Sequence, residues 1–310
     1  MRHSRALRWP ALALVCALAG ALAACGQGGG APSGASLSPS AVSRPPGSTP
    51  TSTPPSASVP SADPASGGQL VEIGERSLWL ECIGEGAPTV ILESGLGGDH
   101  RTWNQVQPQL AAASRVCVYD RAGIADSDAA QGTRTAADAV DDLTALLEAA
   151  AIEPPYVLVG FSFGGAIAQL FASTHPDAVS GLVLVESNHP LEAEQFEAHL
   201  TPEQIATDRG FALDNPEGMD PFASFEELQA AGPLPDVPLV VVTAGISEGW
   251  PPGWDAETFD ALRAAQQAEL ATFTPQGRQV IAEQSTHHVP SQQPAIIIEA
   301  VESLLTELGE

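Results

Sequence analysis

The chain has 310 residues, of which 38 are acidic and 12 are arginine, so its formal net charge at pH 7 is −26. Hydrophobic residues make up 44% of the chain, which is enough for a sizeable core and excludes disorder over the full length. Residues 70–310 hold 37 acidic residues against eight arginines. Because so acidic a domain is repelled by phosphate backbones, nucleic acid is not an expected partner.

The first 24 residues have the organisation of a signal peptide. Three arginines lie among the first eight residues, and an apolar stretch over 11–22 follows that is too short to span a bilayer comfortably. The residues LAAC at 22–25 resemble a bacterial lipobox. That resemblance implies cleavage before Cys25 and a lipid anchor on its sulfur, at the extracytoplasmic face of the cell membrane. An ordinary secretory signal with an incidental cysteine is the alternative.

Residues 25–69 consist largely of Gly, Ala, Pro, Ser and Thr, with no apolar period between the prolines. Such a segment cannot bury enough surface to offset the entropy lost on ordering it. We therefore predict a disordered tether that separates a membrane anchor from a folded domain over residues 70–310.

From residue 70 onward, apolar runs of strand length alternate with amphipathic stretches of helix length, which predicts an α/β fold with a mostly parallel sheet flanked by helices. Eight strands are predicted, at 70–73, 78–82, 89–92, 116–119, 156–159, 182–185, 239–242 and 279–282. The clearest helices are predicted at 136–149, 164–173, 256–270 and 294–308. Over about residues 189–237 the chain is polar and interrupted by prolines. This pattern predicts a lid of short helices between the sixth and seventh strands.

A strand, a sharp turn and a helix carry the first chemical motif. The fifth predicted strand leads directly into GFSFG at residues 160–164, and a helix follows. Glycines on both sides of Ser162 allow the backbone to approach closely while the serine is held in a strained conformation at the strand end. In this context the pattern predicts a nucleophilic serine.

With this motif and eight strands, residues 70–308 resemble the α/β-hydrolase superfamily. The segment ESGLGG at 93–98 follows the third strand, where that family places a loop of its oxyanion hole. The resemblance implies that the backbone N–H groups of Leu96 and Phe163 form this hole. Asp120 and Arg121 resemble the family's turn after the fourth strand, and we interpret them as turn and packing residues.

The resemblance also implies a histidine base after the last strand and an acid that orients it. Ser285 and the Gln-Pro pair at 293–294 align the catalytic position with His287, which leaves His288 as a pocket or packing residue. Two carboxylates follow strands where the family places its acid. Glu186 follows the sixth strand and is favoured because the strand fixes it, whereas Glu248 after the seventh strand is the alternative.

The function implied is a serine hydrolase that transfers an acyl group to water through an acyl-enzyme intermediate, without a metal ion or organic cofactor. Small-molecule esters are the expected substrates, and amides or peptides are alternatives. A non-catalytic binding or sensing protein on the same scaffold is an alternative of another class. We expect a monomer.

Two cysteines, Cys82 and Cys117, remain if Cys16 is removed with the signal and Cys25 carries lipid. The fold that this chain resembles places its second strand beside its fourth, and these cysteines lie on those strands. For an exported domain we therefore predict a disulfide between them, with two buried free cysteines as the alternative.

Overall fold

A computed structural model describes residues 67–309 of the chain. The predicted signal peptide over 1–24, Cys25 and residues 26–66 of the predicted tether lie outside these described residues. Within 67–309, no helix is long and apolar enough to cross a bilayer.

Residues 67–309 contain eight strands and nine α-helices. The strands are β1 Gln69–Glu72, β2 Ser77–Ile83, β3 Thr89–Glu93, β4 Val116–Tyr119, β5 Tyr156–Phe161, β6 Val179–Val185, β7 Leu239–Ala244 and β8 Gly277–Ala282. The helices are α1 Gln107–Leu110, α2 Ala136–Ala149, α3 Phe163–Thr174, α4 Glu192–Glu197, α5 Pro202–Leu213, α6 Pro221–Ala230, α7 Ala256–Leu270, α8 Val289–Gln292 and α9 Pro294–Gly309.

The strands form one sheet in the order β1-β2-β4-β3-β5-β6-β7-β8. β1 pairs with β2 and β2 with β4 in antiparallel register, whereas the five remaining pairs are parallel. The predicted fold class, an eight-stranded mostly parallel sheet, is therefore confirmed. β5 continues two residues past its predicted end because Gly160 and Phe161 still pair with Leu184 and Val185 of β6.

Helices cover both faces of the sheet, as the buried character of its central strands requires. On one face, Ile91, Leu158 and Leu182 pack with side chains of α2 and α3. On the other face, alternate strand residues such as Val90 and Val159 pack with α9. The parallel strands thus end at a common edge of the sheet, where the loops that follow β3, β5, β6 and β7 meet.

Three helices, α4, α5 and α6, lie between β6 and β7. α6 buries Phe225 and Leu228 in the same core that contains α2 and α3, whereas α5 has no buried residue. These helices overlie the carboxyl edge of β5 and provide one wall of the site described below.

The antiparallel side of the sheet carries a covalent link. Cys82 of β2 and Cys117 of β4 are directly opposite in register, with Cα atoms 4.1 Å apart, and the structure joins them by a disulfide. The link closes a loop of 35 residues.

Candidate active site

Ser162 lies between β5 and α3 with φ 54° and ψ −123°, a strained conformation for a residue with a side chain. The flanking glycines are required by close backbone contacts. A Cβ at Gly160 would lie 2.5 Å from the Gly164 carbonyl oxygen, and one at Gly164 would lie 2.4 Å from the Ser94 carbonyl oxygen. The motif glycines therefore allow the tight turn that presents the serine.

Backbone hydrogen bonds fix this turn to the neighbouring strand. The Ser162 N–H donates to the carbonyl oxygen of Val185 at 3.0 Å, and the Ser162 carbonyl accepts from the Gly165 N–H at 2.9 Å. Because Val185 is the last residue of β6, the serine backbone is held beside Glu186, which follows it.

Glu186 has a positive φ of 48° and a side chain that is 1% exposed. Its N–H donates to the Val242 carbonyl at 2.8 Å, and its Oε1 accepts from the Ala244 N–H at 2.6 Å. Oε2 lies 3.2 Å from Nδ1 of His287, a residue 101 positions further along the chain. The structure therefore brings Glu186 and His287 together.

The alternative acid, Glu248, contacts other groups. Its Oε1 accepts a hydrogen bond from the Thr286 hydroxyl and lies 3.7 Å from Nε2 of His288. Within residues 67–309, no hydrogen bond or ion pair joins Glu248 to His287. In the irregular segment between β7 and α7, Glu248 therefore lies near His288 and is not paired with His287.

His287 contacts the residue that precedes the serine. Its ring lies 5.0 Å from the ring of Phe161, the residue that precedes Ser162. Among the described residues, no hydrogen bond links the Ser162 hydroxyl to His287, and such contacts are often formed only when substrate is bound. The imidazole side chain is 32% exposed, so solvent or substrate reaches it.

Although about a third of the side chain is exposed, burial of the remainder disfavours the charged imidazolium and lowers the pKa of His287 to about 4. The positive charge of Arg263 lowers this pKa further, whereas the charges of Glu248 and Glu192 act in the opposite direction. His287 is therefore neutral near pH 7, as a general base must be.

Sequence patterns do not point to Arg263, a residue of α7 that forms an ion pair with Oε2 of Glu186. It lies 77 positions beyond Glu186, in the middle of a helix whose pattern predicts only an exposed face and a buried face. No local motif marks it.

A cavity of about 240 Å³ opens above Ser162. Leu96 and Phe163, the two residues predicted for the oxyanion hole, line it together with the serine. Within residues 67–309, no acceptor is hydrogen-bonded to the backbone N–H of either residue. Neither N–H group is thus engaged with another group of this range.

The opposite wall of the cavity comes from α4, α5 and α6 and is both apolar and acidic. Its lining residues from these helices are Glu192, Ala193, Phe196, Glu197, Asp208, Ala212, Pro221, Phe222 and Phe225. Burial raises the pKa of Glu192 to about 7, although its Oε1 accepts a hydrogen bond from the Asn188 amide at 2.7 Å. Glu197 forms an ion pair with Arg209 at 2.6 Å.

A buried ion-pair network supports the loop that carries Leu96. The Arg121 guanidinium donates to the carbonyl oxygens of Ser94 and Gly95, both at 2.6 Å, and to the carboxylates of Glu93 and Glu217. Glu217 in turn accepts from the Gly97 N–H at 2.6 Å. Arg121 therefore has a larger structural role than a turn residue, since it connects the oxyanion loop to the segment between α5 and α6.

The described part of the chain holds no group of three His, Cys, Asp or Glu residues that could bind a metal ion. The candidate functional groups at this edge of the sheet are a hydroxyl, an imidazole, a carboxylate and two backbone donors.

Comparisons with known proteins agree with the fold. A family profile described as alpha/beta hydrolase fold matches residues 88–288. The uncharacterized protein YqjL of Bacillus subtilis is 26% identical over 219 residues, which cover 69% of this chain and 82% of YqjL. A putative carbamate hydrolase, RutD of Yersinia enterocolitica, is 37% identical over 124 residues, which cover 38% of this chain and 43% of RutD.

Among solved structures, the enol-lactonase from Burkholderia xenovorans superposes with a TM-score of 0.56. Its sequence is 21% identical, and the match covers 77% of this chain and all of the lactonase. At this identity the likeness shows a common fold.

Proposed function

The chain belongs to the α/β hydrolase fold family, and we propose that it is a serine hydrolase that cleaves carboxylic esters or related acyl compounds through Ser162, His287 and Glu186. The observation that carries this proposal is the 3.2 Å contact between His287 Nδ1 and Glu186 Oε2. It joins an imidazole to a carboxylate from a distant part of the chain, and this carboxylate directly follows Val185, the residue that accepts a hydrogen bond from the Ser162 N–H. A paired base and acid of this kind support nucleophilic catalysis by Ser162.

In the proposed mechanism, Nε2 of His287 removes the proton from the Ser162 hydroxyl as the oxygen attacks the substrate carbonyl. Glu186 accepts a hydrogen bond from the Nδ1–H group of His287 and stabilises the imidazolium that forms. The N–H groups of Leu96 and Phe163 donate to the oxyanion of the tetrahedral intermediate, and the leaving group takes the proton from His287. Water activated by His287 then hydrolyses the acyl-enzyme.

Esters are proposed as the main substrates. The size of the cavity supports small or medium acyl groups, and its lining favours neutral acyl groups over anionic ones. Phe196, Phe222 and Phe225 offer apolar contacts, while Asp208, and Glu192 when it is ionised, repel negative charge. Amides and peptides are the alternatives. The similarity to RutD adds a carbamate to the compounds to be tested.

A fluorophosphonate probe and p-nitrophenyl esters test the proposal. The wild-type protein should be labelled and should hydrolyse the esters, whereas Ser162→Ala should lose labelling and at least about 10³ in kcat. Ser303→Ala is the matched control, since it removes an exposed hydroxyl on α9 and should behave like the wild type. An unlabelled, inactive but folded wild-type protein would instead support the binding or sensing function.

A panel of substrates then defines the specificity. It comprises neutral p-nitrophenyl esters of graded chain length, an ester with a terminal carboxylate, an aminoacyl anilide and a carbamate. The expected order of kcat/KM places neutral esters first and the anionic ester last. Preferred cleavage of the anilide would assign the protein to the peptidases or amidases.

We also propose that the protein is exported and anchored to the membrane through a lipid on Cys25. The LAAC segment at 22–25 supports this, and the Cys82–Cys117 disulfide is consistent with an oxidising location. In a bacterial host, the mature protein should partition into the detergent phase and Cys25→Ser should not. A mature amino terminus at another residue, with Cys25 free, would show an ordinary secretory signal.

A further inference from the structure

The carboxylate of Glu186 has more partners than orienting a histidine requires. Oε1 accepts from the Ala244 N–H, whereas Oε2 contacts both His287 Nδ1 and the guanidinium of Arg263. An imidazole and a guanidinium therefore share one oxygen atom. The Arg263 side chain is 22% exposed, so this ion pair lies mostly inside the protein.

Two physical consequences follow from this shared oxygen. Removal of a carboxylate from water favours its neutral form, and a guanidinium in contact with it restores the charged form. The same guanidinium lies near the imidazole, where a second positive charge is unfavourable. Arg263 thus favours a charged acid and a neutral base at the same time.

We propose that Arg263 is a positioning residue of this site, which fixes the Glu186 carboxylate in its charged form and whose own charge opposes protonation of His287. The inference rests on the proposed hydrolase function, because it concerns the acid and base of that mechanism. In this role Arg263 acts on Glu186 and does not contact the substrate.

Charged groups face His287 from each element packed around it. Arg263 of α7 is positive, and Glu186 after β6, Glu248 after β7 and Glu192 of α4 are acidic. His288, the next residue in the chain, has its ring 5.8 Å away. Negative charge on these acidic groups favours the protonated form of His287. Among the described groups around this ring, Arg263 is the cation that disfavours the protonated form.

The depressed pKa of His287, about 4, agrees with this arrangement, although burial is its main cause. A base with such a pKa remains neutral in moderately acidic solution, where an ordinary histidine, with a pKa of 6.5, would be protonated. For the proposed hydrolase we therefore expect the acidic limb of kcat/KM at a lower pH than an ordinary histidine would give.

The test is the pH profile of kcat/KM on a neutral ester for the wild type, Arg263→Gln and Arg263→Lys. The acidic limb should move upward by at least about one pH unit in Arg263→Gln, since a like charge nearby is removed. It should stay near its wild-type position in Arg263→Lys, where the charge remains. Arg263→Met, which keeps the apolar stem, gives the same expected shift should the glutamine variant not fold.

Two further variants separate a charge effect from general disruption. Glu248→Gln removes a negative charge near the base and should shift the limb in the opposite direction, toward lower pH. Arg278→Gln breaks another arginine–glutamate pair, with Glu307 on α9, and should leave the limb unchanged. A limb that is unmoved in folded Arg263→Gln and Arg263→Met would overturn the inference.

A direct titration keeps this inference separate from the proposed function. The pKa of His287, measured by NMR on protein with labelled histidines and assigned with His287→Gln, needs no catalytic activity. It should rise in Arg263→Gln even if the wild type cleaves no ester, in which case only the hydrolase proposal fails. An unchanged pKa in an active enzyme would overturn the role of Arg263 alone.

Discussion

Two loops contact the turn that carries Ser162: the oxyanion loop at residues 93–98 on one side of this comparison, and the histidine loop at residues 283–288 on the other. They are held by different means. Arg121 supports the oxyanion loop from a position that is 3% exposed, with two carboxylates and two backbone carbonyls around it. His287 on the other side has a side chain that is 32% exposed and one carboxylate partner. The buried network fixes the backbone of the first side, as the proposed oxyanion hole requires, whereas the imidazole of the second side remains accessible.

Each side also contains one arginine, Arg121 or Arg263, and the two differ in their ion-pair partners. Arg121 pairs with the carboxylates of Glu93 and Glu217, which belong to separate segments of the chain. Burial raises the pKa of Glu93, while the charge of Arg121 acts in the opposite direction. Arg263 shares Oε2 of Glu186 with the base. We therefore expect changes at Arg121 to affect mainly stability, and changes around Glu186 to affect mainly catalysis.

The largest expected effect is on the histidine side. Glu186→Gln should lower kcat by up to about 10⁴, because an amide cannot stabilise the imidazolium and places an unsuitable partner at Nδ1. Glu248→Gln is the matched variant and should retain most of the activity, since Glu248 contacts Thr286 and His288. Assays of both on one neutral ester at pH 7 check this, and a crippled Glu248→Gln beside an active Glu186→Gln would reverse the assignment.

On the oxyanion side, the expected loss is in stability. Arg121→Gln should lower the free energy of unfolding by about 3–5 kcal/mol, because Glu93 and Glu217 would remain buried without their cation. Arg278→Gln, which breaks an exposed pair with Glu307, should cost at most about 1 kcal/mol. Denaturant unfolding of both variants measures the difference, and equal losses would show that burial of the Arg121 network contributes little.

The disulfide lies on the same side, in the strand that precedes Arg121. Replacement of both Cys82 and Cys117 by alanine should lower stability by about 2–4 kcal/mol, since the cross-link closes a 35-residue loop in the unfolded chain. The thermal midpoint of the wild type should fall in reductant, and that of the double variant should not change. Two free thiols in the unfolded, unreduced wild type would disprove the link.

The smallest expected effect concerns the cavity wall. The pKa of Glu192 rises from 4.5 to about 7 in the folded protein, so the stabilising contribution of its bound proton is present below pH 4.5 and is lost as the pH rises through 7. Glu192→Gln should therefore be more stable than the wild type by about 1 kcal/mol at pH 8, because the amide removes a poorly solvated charge that the open cavity only partly screens. At pH 4 the two should unfold alike in calorimetry, and a gain at pH 4 as large as at pH 8 would contradict a titration effect.

Much of the fold could be predicted from local patterns. Each of the eight predicted strands overlaps an observed strand, because buried parallel strands appear as short apolar runs between turn residues. The turn around Ser162 was equally predictable, since its glycines, its strand and its helix are neighbours in the chain. The ends of elements were less certain, as at β5, because the pairing partner decides where a strand stops.

Only the tertiary structure could decide which carboxylate reaches His287. Glu186 and Glu248 both follow strands of the same sheet, and the sequence favours the first only through the rigidity of its strand. Sheet order, chain direction after β7 and side-chain length together bring Glu186 to Nδ1 and Glu248 to His288.

The amino-acid sequence by itself determined the α/β class and the strand–turn–helix that presents Ser162, because these depend on residues within one or two elements of each other. The tertiary structure decided the partners of Arg121 and Arg263, which lie 96 positions from Glu217 and 77 from Glu186. Ion pairs over such separations follow from how packed elements meet, and no local periodicity or motif records that geometry.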